Sequence, residues 1–80
     1  MEAFLGQILL LPYTYAPSGW VRCEGQLLSI AQNEALYSLL GNQFGGDGMR
    51  TFALPDLRDK EPAPNLHFCI AVQGTYPMRD

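Results

Sequence analysis

The residues that could do acid–base or nucleophilic chemistry are few, and their spacing does not suit it. His67 is the only histidine, and Cys69 lies two residues after it. In a strand these two side chains share a face, but no third group is present to orient them, as a catalytic pair requires. Asp56, Asp59 and Glu61 are close together in a proline-containing connection, where a solvated surface is the ordinary explanation. The sequence therefore indicates a protein that is not an enzyme and uses no cofactor.

Metal and phosphate sites are supported no better. One histidine cannot form a metal centre within one chain, although three copies around a symmetry axis could bring three histidines together. Cys23 and Cys69 lack the close spacing of zinc or redox motifs, so we expect two buried free thiols, with a disulfide as the alternative. The glycine-rich turn at 45–48 is followed by no Gly-Lys-Ser/Thr and lacks the ligand series of a calcium loop. We therefore assign no metal ligands.

Aromatic side chains give a stronger indication, and what they indicate is binding. Tyr13, Tyr15 and Trp20 cluster around a loop stiffened by Pro12 and Pro17. Rigid aromatic rings suit contacts with proteins and with the faces of sugars. We therefore name Tyr13 and Tyr15 as candidate ligand-binding residues, with capping of the core as their alternative role. Trp20 is expected to fill the core.

The length and composition of the chain point to self-association. Its 80 residues suffice for one domain, which we expect to span residues 1–80. A domain of this size buries only about 60% of the surface that its unfolded chain exposes. Because 48% of the residues are hydrophobic and 16% are charged, apolar surface is expected to remain outside the core. Such surface tends to meet a partner, and often that partner is another copy of the chain.

Charge and hydropathy exclude two classes of partner. The formal net charge is −3 and the five basic residues are scattered, so no patch could neutralise several phosphates. We therefore expect no nucleic-acid binding. The longest apolar run, residues 8–11, is too short to span a bilayer, and no Lys or Arg precedes it as in a secretory signal. We expect synthesis in a cytoplasm and no membrane insertion.

The elements that must position these residues are short. Alternation of apolar and polar residues, with turn residues between, predicts strands at 4–10, 19–23, 26–28, 49–54 and 67–73. Glu24 and Gly25 predict a hairpin turn between the second and third of these strands. Together with one helix, they predict an α+β domain of four to five short strands.

The helix is expected at residues 31–40. Ser29 and Gln32 fit a capping box at its start, and Gly41 fits the left-handed residue that ends it. A tight turn follows the fourth strand, with Asp56 or Asp47 available to Arg58. Nine residues are expected to hold the fold through core packing or turn geometry: Trp20, Gly25, Leu36, Leu40, Phe52, Leu54, Pro55, Asp56 and Arg58.

Read in order, many stretches of the sequence resemble the phage tail-collar family, which includes the bacterial microcystin-dependent proteins. The resemblance covers most of residues 4–58 and returns near the C-terminal end. The matching stretches are residues 6–8, 12–20, 23–26, 28–33, 35–41, 44–48, 51–58, 69–74 and 76–77.

This resemblance implies a homotrimeric module at or near the end of a tail fibre, baseplate or related assembly. Such modules are associated with holding fibre chains together and with attachment to the host. The implied location is the virion tail, assembled in the host cytoplasm, with other tail or baseplate proteins as partners. The alternative function is a receptor- or glycan-binding module that acts through Tyr13 and Tyr15.

The sequence departs from the family in two ways. The family usually continues after the arginine with Gly-Arg, whereas Asp59 and Lys60 follow Arg58 here. Longer members also carry a large insertion before the final strand, often with a Pro-Ala-His-x-His segment that can bind metal at a trimer axis. Residues 59–66 replace that insertion in this chain. The metal site and the receptor-contacting head are therefore not expected, and the compact scaffold remains.

Overall fold

Within the residues that it describes, 3–78, the computed structural model has five short strands in two antiparallel sheets and one helix. The elements in chain order are β1 Ile8–Leu11, β2 Trp20–Arg22, β3 Leu27–Ser29, α1 Glu34–Leu40, β4 Thr51–Ala53 and β5 His67–Ala71. This arrangement confirms the expected α+β class.

The larger sheet has the order β1-β5-β2, with the last strand of the chain at its centre. Ile70 lies opposite Ile8 on one side and opposite Val21 on the other. The central place of β5 agrees with its composition, because a strand with neighbours on both sides has little contact with water. Its last three residues, 69–71, are buried.

The predicted hairpin across Glu24 and Gly25 is wrong, because β2 and β3 lie in different sheets. The backbone groups that would close the hairpin are used elsewhere. The carbonyl of Cys23 accepts from the N–H of Leu57 at 2.9 Å, and the N–H of Gly25 donates to the carbonyl of Pro55 at 3.3 Å. The chain therefore leaves the first sheet at this turn and enters the second.

The smaller sheet pairs β3 with β4, with Leu28 opposite Phe52 and Ser29 opposite Thr51. This pairing explains why the predicted capping box is wrong. Since Ser29 ends a strand, the helix cannot begin beside it, and α1 starts at Glu34 after Asn33.

The end of the helix agrees with the prediction. Gly41 has a φ of 61° and donates its N–H to the carbonyl of Tyr37 at 2.7 Å. The Tyr37 ring packs at a tilt against Phe52, with their centroids 5.3 Å apart, and this contact joins α1 to β4.

The core lies between the two sheets and the helix. Its cluster of buried side chains consists of Leu5, Cys23, Leu36, Phe52, Leu54 and Ile70. Phe52 and Leu54 thus face inward as predicted, while Leu40 is half-buried and packs against the cluster.

Trp20 does not fill the core, contrary to the expectation. It is half-buried and lies outside the core cluster. The register explains this position, because Val21 pairs with the buried Ile70 and itself packs against the core. Successive residues of a strand point to opposite faces, so the side chain of Trp20 lies on the outer face of the sheet.

Candidate binding surface

The outer face of the larger sheet carries the aromatic residues singled out in the sequence. Trp20 and Arg22 lie on this face, since Val21 between them faces the core. The guanidinium of Arg22 donates to the carbonyl of Thr14. Residues 12–18, here called the tyrosine loop, are therefore fastened to the same face that carries Trp20.

The tyrosine loop presents two stacked rings to solvent. The centroids of Tyr13 and Tyr15 lie 5.7 Å apart with 20° between their planes. Tyr13 is 46% exposed and Tyr15 is 66% exposed, so neither ring caps the core. Thr14, which lies between them, is the residue that Arg22 holds. The two rings form an exposed aromatic platform on a fastened loop.

A cleft adjoins Trp20 where β2 begins. Its volume is about 380 Å³, and we call it the Trp20 cleft. It is lined by Ala3, Ser18, Gly19, Trp20, Gln73, Gly74 and Thr75. Residues 18–20 of the cleft follow directly on the tyrosine loop in the chain.

Backbone hydrogen bonds hold both walls of the Trp20 cleft. The carbonyl of Gly19 accepts from the N–H of Val72 at 2.9 Å and from the N–H of Gln73 at 3.3 Å. Thr75 donates its N–H to Ala3 at 2.9 Å and accepts from Leu5 at 2.8 Å. The cleft is therefore built from tied segments of the chain.

The turn at 55–58 carries a bidentate ion pair instead of an open site. Arg58 donates from Nε to Oδ1 of Asp56 at 2.9 Å and from Nη2 to Oδ2 at 2.7 Å. These hydrogen bonds lower the pKa of Asp56 to about 2. Gly25 packs here with a φ of 75°, and a Cβ on it would lie 3.2 Å from the Cβ of Asp56. Of the two carboxylates considered for Arg58, Asp56 is the partner.

Asp47 has a different role, which the sequence reasoning missed. Its Oδ1 accepts hydrogen bonds from the backbone N–H groups of Met49, Arg50 and Thr51 at 2.8, 2.8 and 2.9 Å. Those bonds, with Thr51 first, lower the pKa of Asp47 to about 2. These hydrogen bonds hold the turn at 45–48 to the start of β4. An aspartate that can bond to its own following backbone was the available signal.

The potential nucleophiles are poorly placed for chemistry. Cys23 and Cys69 are both free and buried, as expected. Burial raises the pKa of Cys23 to about 11 and also raises the pKa of Cys69, which keeps both thiols protonated and unreactive. His67 begins β5 opposite Leu11.

Residues 3–78 contain no group of three or more His, Cys, Asp and Glu side chains that could hold a metal ion. The helical structure in the same range lacks the length and hydropathy needed to cross a bilayer.

Comparison with known proteins identifies the scaffold that carries this surface. Residues 6–62, well over half of the chain, match the family model of the phage tail collar domain. No match was found among curated proteins or among solved structures.

Proposed function

The chain belongs to the phage tail collar domain family, and on that basis we propose that it forms a trimeric structural module of a phage tail fibre, baseplate or tail-like assembly. The family is one of structural phage domains, and its presence implies a component of the virion tail that associates with other tail proteins. Membership of the family supports the structural role in the tail, whereas the trimer needs a test of its own.

The exposed area of the chain supports self-association. The folded chain exposes 5523 Å², whereas a monomer of its 8.9 kDa mass is expected to expose about 4,800 Å². The chain therefore exposes more surface than a monomer of its mass usually does. Seven large apolar side chains outside the tyrosine loop are exposed: Phe4, Ile8, Leu27, Phe44, Met49, Tyr76 and Met78.

Sedimentation equilibrium tests the trimer directly. We expect a species of about 27 kDa at micromolar concentration, three times the chain mass of 8.9 kDa. Replacing the seven exposed apolar residues with serine, one at a time, should dissociate the trimer only where the residue lies between subunits. Gln32→Ser, at an exposed polar position, is the matched control and should remain trimeric. A folded wild-type monomer across the concentration range would refute this part of the proposal.

The tyrosine platform supports a second function, which is attachment to a host receptor or surface glycan. Two exposed rings, stacked and held on a fastened loop, offer a wide apolar contact at little cost in side-chain entropy. Aromatic faces of this kind contact the C–H faces of sugars as well as protein partners. The exposure of both rings is the observation that favours this function.

The test compares host-cell binding by the wild type and by the double variant Tyr13→Ala/Tyr15→Ala. We expect the double variant to lose binding while it keeps its circular dichroism spectrum and its oligomeric state. Gln32→Ala is the control, since Gln32 is exposed, polar and outside the tyrosine loop. Undiminished binding by the double variant would exclude the platform as the contact.

A further inference from the structure

We propose that the Trp20 cleft is a subsite for one neutral sugar residue, so that a host glycan would contact both this cleft and the tyrosine platform. The inference rests on the proposed attachment function and deepens it, because it names the ligand class and a second contact. The combination of one half-exposed indole with uncharged hydrogen-bonding groups in a single cleft carries it.

The indole of Trp20 supplies the apolar wall. An aromatic ring that is partly exposed beside a cleft can stack on the C–H face of a sugar ring, and its N–H remains a hydrogen-bond donor. Trp20 is left in this position because Val21 takes the place in the core. A tryptophan that contributes nothing to the core cluster is thus available for a ligand.

The other groups that line the cleft determine the class of ligand. Ser18 and Thr75 offer hydroxyl groups, and Gln73 offers an amide, which donates and accepts at once. Sugar hydroxyls need both kinds of partner. Among residues 3–78, those that line the cleft are all uncharged, and this lining favours a neutral sugar over an acidic sugar or a phosphate.

These polar side chains are available for a ligand. The side chains of Ser18, Trp20, Gln73 and Thr75 make no hydrogen bond to another residue within the range 3–78. Ser18, Gln73 and Thr75 are also exposed. The backbone beneath them is tied by the bonds at Gly19 and Thr75, so little backbone freedom is lost on binding.

The size and position of the cleft fit a single sugar unit of a longer glycan. Its volume of about 380 Å³ is at the lower end of the range for small-molecule sites, about 300–1,000 Å³. Trp20 lies on the same sheet face as Arg22, which fastens the tyrosine loop. The proposal places one sugar unit in the cleft and neighbouring units of the same glycan chain on the platform.

The only tryptophan in the chain makes the experiment selective, because its fluorescence reports on this cleft alone. The wild type is titrated with the methyl glycosides of glucose, galactose, mannose and N-acetylglucosamine. We expect a saturable change in emission with at least one of them, at millimolar concentration. Gln73→Ala should raise that Kd about fivefold, the loss of about one hydrogen bond. Gln32→Ala, an exposed glutamine outside the cleft, should leave the Kd unchanged.

The outcomes separate this inference from the function on which it rests. If no glycoside changes the emission, or if Gln73→Ala binds as tightly as the wild type, the subsite is refuted. Emission that changes on dilution of the protein, and not with sugar, would show a second copy of the chain in the cleft and would also refute it. Host-cell binding that depends on Tyr13 and Tyr15 would stand in either case, whereas loss of that dependence would refute the attachment function.

Discussion

Gly46 is a position where a single added methyl group is expected to damage the fold strongly. Gly46 has a φ of 92°, and a Cβ on it would lie 2.5 Å from the Cα of Phe52 and 2.7 Å from the carbonyl oxygen of Thr51. Both are backbone atoms of β4, so no side-chain rotation can relieve the contact. The alanine variant must displace the strand that carries Phe52 into the core.

Gly41 provides a matched comparison. It also has a positive φ, 61°, but a Cβ on it would have no neighbour within 4 Å. In both variants the unfavourable backbone conformation costs about 1–3 kcal/mol. The effect of alanine on the unfolded chain is the same in both and cancels from the difference. The contact with β4 adds about 1–3 kcal/mol in Gly46→Ala alone, as overpacking does in other cores.

These magnitudes are large beside the stability of the domain. A chain of 80 residues is expected to have a free energy of unfolding of about 4–12 kcal/mol, at 0.05–0.15 kcal/mol per residue. Gly41→Ala should therefore remain folded, and Gly46→Ala, which loses about 2–6 kcal/mol, should retain clearly less of that stability.

Urea denaturation followed by far-ultraviolet circular dichroism measures the difference. With an m-value of about 1 kcal/mol/M, the midpoint of Gly46→Ala should lie about 1–3 M below that of Gly41→Ala. All samples need the same protein concentration, because association adds to stability. A midpoint for Gly46→Ala equal to or above that of Gly41→Ala would show that the close approach to β4 does not exist in solution.

Three further outcomes are expected. The hydrogen bonds to Asp47 depress its pKa to about 2. They therefore stabilise the fold above pH 4, and this contribution is lost as the pH falls towards 2. Over that range, the Tm of Asp47→Asn should depend less on pH than the Tm of the wild type. Because burial raises the pKa of Cys23 to about 11, the native protein at pH 8 should react with a thiol reagent far more slowly than the urea-denatured protein, and equal rates would contradict burial of Cys23 and Cys69. Leu36→Ala should lower the free energy of unfolding, measured by urea denaturation, by about 2–5 kcal/mol. Trp20→Ala should lower it clearly less, since only Leu36 lies in the core. Equal losses would show that Trp20 is buried in the core.

Predictions from the sequence were reliable where residues close together in the chain determine the local structure. The end of α1 at Gly41 follows from one residue with a positive φ, and the apolar run at β5 predicts a buried strand without knowledge of its partners. The two tyrosines were placed on a stiff loop for the same reason. Their stacking and exposure required coordinates, because Arg22 fastens the loop from eight residues away.

The predictions were wrong where contacts with residues remote in sequence determine the local structure. Glu24 and Gly25 look like a hairpin turn, but the chain there bonds to Pro55 and Leu57, about thirty residues further on. We expected Trp20 to fill the core, whereas the next residue, Val21, pairs with the buried Ile70 and packs against the core, because successive residues of a strand face opposite sides of the sheet.

The position of β5 in the larger sheet has a consequence for the order of events during synthesis. β1 and β2 do not pair with each other, and both pair with β5. The ribosome produces β5 some 45 residues or more after them. Until then each offers unpaired backbone to any other nascent chain nearby. The larger sheet depends on contacts that are remote in sequence, and such contacts form slowly. We therefore expect aggregation to be favoured when many copies of the chain are translated close together.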